Sequence, residues 1–160
     1  MFTIELKDDQ ITVALARAIA QQEDLTPLMD QIGEILVVSV KERFNAGESP
    51  DGVKWAPKSP TTLAAYGARK TNRMDTRPLF GPSGMLHSQI FPDVSSGGVI
   101  VGSNRVYAAM MQFGGTKAAF PHLWGNISPR PFMGFSEEDR VNILGETEDW
   151  LMEAFGSVSV

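Results

Sequence analysis

Cysteine is absent from the 160-residue chain, which excludes a disulfide framework, thiolate chemistry and cysteine-ligated zinc. Histidine is scarce. His87 and His122 stand 35 residues apart, and neither has a second histidine one helical turn away. A metal site would have to recruit distant carboxylates, so no metal and no cofactor is expected. Apolar runs such as Ile35–Val38 fall far short of the roughly 18 residues that span a bilayer. No membrane partner is expected, and residues 1–9 suggest no secretory leader, having neither a basic stretch nor a long apolar one. What is present, 42% hydrophobic and 21% charged residues, excludes a wholly disordered chain and suits one soluble domain, intracellular when made.

Catalytic signatures are missing as well. A hydrolase elbow sets its serine between glycines two positions away on either side, on a strained strand-to-helix turn. The stretch Gly81-Pro82-Ser83-Gly84-Met85 misses that spacing by one position, so Ser83 reads as a turn or cap residue. Gly114-Gly115-Thr116-Lys117 lacks the spacing that cradles a phosphate. Glu137, Glu138 and Asp139 cluster where the first turn of a helix favours acids, which explains them without acid–base catalysis. The expectation is a protein that is not an enzyme and takes no small-molecule substrate. Trp55, Trp124 and Trp150 read as packing anchors.

Charge is present but segregated. Residues 1–51 carry ten acids and four bases, net −6, and residues 136–160 carry seven acids and one base, again −6. Between them, residues 54–77 hold Lys54, Lys58, Arg69, Lys70, Arg73 and Arg77 against Asp75 alone, net +5. Such a chain can dock its basic stretch on an acidic neighbour, a second copy of itself included. Those six cations are the candidate subunit or partner contacts. The same charge could touch nucleic acid phosphates, although no zinc finger, helix-turn-helix or aromatic platform accompanies it.

Of the 25 glycines and prolines, 21 lie between Gly47 and Gly134. Regular structure is therefore expected at the ends, with turns, short strands and loops between. Met1–Leu6 alternates like a half-buried strand, and Ile11–Gln22 carries a helical stripe. Thr26-Pro27 reads as a capping hydroxyl before a first-turn proline, opening a helix over about 27–46 with Leu28, Ile32, Ile35, Leu36, Val40 and Phe44 inward. Ser59-Pro60 opens a short helix to about Gly67. Residues 68–78 have no apolar face and are expected to form a mobile basic arm. One helical turn is expected over Gly84–Ser88. Ile90–Val94 and Val99–Gly102 flank a four-residue hairpin loop, with Pro92 demanding an edge or a bulge. Tyr107–Phe113 reads as a helix stopped by Gly114-Gly115. The last helix opens at Ser136 with a capping box and sends Val141, Leu144, Leu151 and Phe155 inward. The order predicts an α+β fold, a small antiparallel sheet packed against a long helix.

Three stretches taken together resemble a known family. They are Pro50-Asp51-Gly52-Val53-Lys54-Trp55-Ala56-Pro57-Lys58-Ser59-Pro60-Thr61-Thr62-Leu63, then Gly84-Met85-Leu86-His87-Ser88, then residues 107–115 continuing at 129–139. The specific part is Gln112-Phe113-Gly114-Gly115 with Arg130-Pro131-Phe132-Met133-Gly134 downstream. The chain resembles, from about Leu25 to Phe155, the phage virion morphogenesis family, the tail-completion proteins of Mu-like and related tailed phages. Met111 and Ser128-Pro129 depart from the pattern.

The resemblance implies a protein of the neck or upper tail of the virion, made in the host cytoplasm. It would act as a homo-oligomeric ring, six-fold in the first instance, binding the head–tail connector and the tail tube, with DNA passing through its lumen. A ring needs one surface to meet a different one on the next copy, and the segregated charges suit that. A tail terminator ring capping the tube is the alternative in the same class, and a DNA-contacting module using residues 54–77 the alternative in another. Arg130, between two prolines that stiffen the approach to Phe132, could staple the fold or reach a neighbour.

Overall fold

A computed structural model describes residues 24–68, 75–123 and 125–156, with side chains as far as 153. The expected strand over Met1–Leu6, the helix over Ile11–Gln22 and Trp124 lie outside them. The described elements are helix α1 (Thr26–Ala46), α2 (Pro60–Ala68), α3 (Met85–Ser88), strands β1 (Ile90–Ser95) and β2 (Gly98–Ser103), α4 (Ala108–Phe113) and α5 (Glu137–Gly156). The fold is α+β, as expected, with one two-stranded sheet among the described residues. No described helix is long and apolar enough to cross a membrane.

Each boundary has a local cause. The Asp24 carboxylate accepts the Thr26 N–H at 2.9 Å, so Asp24, not the expected Thr26, caps α1. At α2 the Ser59 hydroxyl oxygen accepts the Thr62 N–H at 3.2 Å, and Pro60 fills a first-turn position that needs no donor. The capping box of α5 is reciprocal: Asp139 N–H donates to Ser136 Oγ at 3.1 Å, and Ser136 N–H donates to Asp139 Oδ2 at 2.7 Å. The hairpin is tighter than expected. Its strands run on to Ser95 and from Gly98, leaving two residues to turn instead of four. Both strands of a two-stranded sheet are edges, which is where Pro92 belongs.

The chain divides into two compact units that share α1. Among the described residues, one comprises those of Val40–Ile90 and Ser103–Gly134; the other comprises those up to Ser39, Phe91–Gly102 and those from Phe135 on. The second unit has an aliphatic core. Leu25, Leu28, Met29, Ile32, Leu36 and Ile143 form its buried centre, with Val94, Val99, Val101, Phe135, Trp150 and Leu151 packed around it. Gly33 lets α1 lie on the hairpin, because a Cβ there would stand 2.9 Å from Pro92 Cβ.

The expected inward face of α5 needs correction. Val141 is 62% exposed, Leu144 is half-buried, and the side chain of Phe155 lies outside the described residues. The buried line is Asp139, Ile143 and Thr147, spaced four apart. Val141, two residues before Ile143, points about 200° away from it. Thr147 reads as polar in sequence, yet its hydroxyl donates to the Ile143 carbonyl at 2.7 Å and leaves a methyl for the core.

Candidate functional site

The first unit is built on aromatic rings. Phe44, near the end of α1, is fully buried. Its ring meets Phe132 at 5.2 Å, His87 at 5.6 Å, and Trp55 and Phe80 at 5.9 Å, all near edge-to-face. Phe132 brings an irregular segment into this core, so its backbone polar groups need partners away from water.

Side chains supply them. Gln112, buried on α4, accepts the N–H groups of Phe132 and Met133 on one amide oxygen at 2.9 and 3.0 Å. Its amide nitrogen donates to Met133 O at 3.1 Å. Arg43, also buried, donates to Phe132 O at 3.2 Å and Gly134 O at 2.8 Å. The Trp55 indole donates to Pro131 O at 2.9 Å. Arg130 holds the segment from its other end, its backbone N–H on Met111 O at 2.8 Å and its guanidinium on Ala56 O and Pro57 O at 2.8 and 3.0 Å. Burial lowers the Arg130 pKa.

The glycines of the same motif allow this approach. Gly114 ends α4 at φ 71°, and a Cβ there would sit 2.7 Å from Ile127 O. Gly115 then pairs with Ile127 in an isolated antiparallel bridge. Gln112, Gly114, Gly115, Arg130, Pro131 and Phe132 are thus one staple that fixes residues 127–134. Phe113 differs: it is 64% exposed.

The six candidate cations divide differently. Arg69, Lys70 and Arg73 lie outside the described residues. Lys54 is exposed, 2.8 Å from Glu48 and 2.9 Å from Ala46 O. Lys58 is buried; its ammonium donates to the carbonyls of Asp75 and Phe80 and lies 5.0 Å from the Tyr66 ring centre. Burial lowers its pKa, opposed by Asp75. Arg77 is clasped by the Asp75 carboxylate, donates to Asn45 Oδ1 at 2.6 Å and stacks 3.6 Å over the Phe80 ring. The hydrogen bond from Arg77 lowers the Asp75 pKa, and the same bond raises that of Arg77.

Sequence reasoning missed Arg43, whose place on the stripe of Leu36, Val40 and Phe44 was the available signal. It also missed the turn before α4. There Arg105 N–H donates to Ser103 Oγ at 3.3 Å, Ala108 N–H donates to Arg105 O at 2.9 Å, and Val106 is 99% exposed. Ser83 is exposed and His87 packs against Phe80 at 4.9 Å. No group of three or more His, Asp or Glu side chains among the described residues could hold a metal.

Comparison with known proteins matches this chain, over residues 6–152, to a model described as the phage virion morphogenesis family. The chain is similar to the Mu-like prophage FluMu G protein 2 of Haemophilus influenzae. The two are 29% identical over 151 residues, covering 94% of this chain and 96% of that protein. No solved structure matches.

Proposed function

The chain belongs to the phage virion morphogenesis family, and on that footing we propose that it completes the tail, or joins head to tail at the neck, as one subunit of a closed ring. Its coarse role is virion assembly. The observation that carries the finer reading is the segregation of charge, +5 over residues 54–77 against −6 in the last 25 residues, which suits head-to-tail contact between copies. Lys58 and Arg77 are engaged within the subunit; Lys54, exposed beside its partner Glu48, and Arg69, Lys70 and Arg73 are the cations offered to an acidic face of a neighbouring copy, the connector or the tail tube.

The ring acts by binding, and a lumen that DNA traverses would bring basic side chains near phosphates. Phage propagated without this chain should accumulate filled heads and normal-length tails that do not join. Tubes of uncontrolled length would instead identify a terminator that caps the last layer, and normal virions would overturn both. A DNA-contacting module predicts salt-dependent duplex binding by the isolated protein; none at low ionic strength ends that reading.

A further inference from the structure

The outward face of α5 carries two exposed large apolar side chains among its acids. Val141, Gly145 and Met152 fall on one line at spacings of four and seven, opposite the buried Ile143 and Thr147. Met152 is 75% exposed, and a Cβ built on Gly145 meets nothing within 4 Å. The line is therefore two apolar side chains with a gap between them. Exposed Glu138, Glu148 and Asp149 border it. An apolar notch rimmed by carboxylates asks for a small apolar knob with a cation beside it.

The chain carries such a knob on the turn before α4. Val106 stands wholly in solvent on a turn closed by the Ala108-to-Arg105 hydrogen bond, so it is presented without further ordering. Arg105 is adjacent and half-buried, which leaves only part of its guanidinium to reach outward. Tyr107 follows, partly exposed, and adds the kind of ring that interfaces favour.

We propose that the Arg105–Val106–Tyr107 turn of one copy seats in the Val141–Gly145–Met152 notch of the next. Val106 fills the space above Gly145, and Arg105 faces the bordering carboxylates. The occupant is a second copy of this chain, because one chain supplies both complementary surfaces, and repeating the contact builds the ring on which this inference rests.

The absence of cysteine makes the test clean. Particles assembled with the double variant Val106→Cys, Met152→Cys should, after mild oxidation, show most of the chain as dimers and higher multimers on a non-reducing gel. Either single variant should stay monomeric. Particles that contain the chain but yield no multimers overturn this interface and leave the assembly role standing; particles without the chain overturn both. Independently, Gly145→Arg should lower the yield of infectious particles by about tenfold or more, with the thermal midpoint of the free protein no lower than that of the native chain. Gly145→Ala should leave the yield near normal. Equal yields from the two variants would contradict the notch.

Discussion

The two compact units are held by different physics. In the unit of Val40–Ile90 and Ser103–Gly134, rings meet edge to face and long polar side chains satisfy the backbone of an irregular segment. In the other, aliphatic side chains from α1, α5 and the hairpin pack together, and helix and ladder bonds satisfy most of the backbone. The first arrangement depends on individual hydrogen-bonding groups. The second depends on buried area.

The comparison breaks most directly at Phe44, which sits among four other rings. Phe44→Ala should cost about 3–5 kcal/mol, read as a lower denaturant midpoint. A loss as small as that of a surface substitution would mean that the ring cluster is not the core of its unit. Next is Gln112→Leu, which keeps the bulk but orphans two N–H groups and a carbonyl. It should cost about 2 kcal/mol or more, because each buried group left unpaired loses its compensation for desolvation. A neutral result would remove the staple.

A smaller effect depends on pH. The His87 pKa is held below its ordinary value of 6.5, first by burial and then by Lys41 and Arg77. The unfolded chain therefore takes up a proton that the folded chain resists. This contribution to stability is complete above about pH 6.5 and declines as the pH falls through that value toward the lower folded one. The Asp24 and Asp75 carboxylates, held low by hydrogen bonds from Thr26 and Arg77, lose theirs only on further acidification, below about pH 4. Thermal midpoints measured between about pH 7 and 5 should slope downward in the native protein, and the slope should flatten in His87→Gln. Equal slopes would contradict the assignment.

The smallest effect sharpens the contrast from the other side. Thr147→Val removes a buried hydroxyl from the aliphatic unit, but that hydroxyl bonds only to a carbonyl of its own helix. The change should stay within about 0.5 kcal/mol. A loss equal to that of Gln112→Leu would erase the distinction between the units.

The same distinction explains what could be read in the sequence. Elements formed by local rules were legible: Ser59-Pro60, the Ser136 box, the hairpin and the stripe from Leu28 to Phe44 each announce themselves within a few residues. The phase of α5 was misjudged because Val141 looks apolar and Thr147 polar, and only the neighbours decide which is inside. Nothing local marks Gln112 as a partner for residues 20 and 21 positions away, or Lys58 as a buried donor to Phe80. The motif pointed to those residues through the family, and the fold supplies their physical role. Arg105 and Val106 gave no signal, since exposure on a closed turn is a tertiary property.

The proposed assembly role puts the chain where heads meet tails. Electron cryo-microscopy of intact particles, with the density of this chain located by its fold, tests that most directly. The account predicts a closed ring at the head–tail junction, with residues 105–107 of each copy against α5 of the next. Absence of the chain from mature virions, or its presence away from the neck and upper tail, would contradict it.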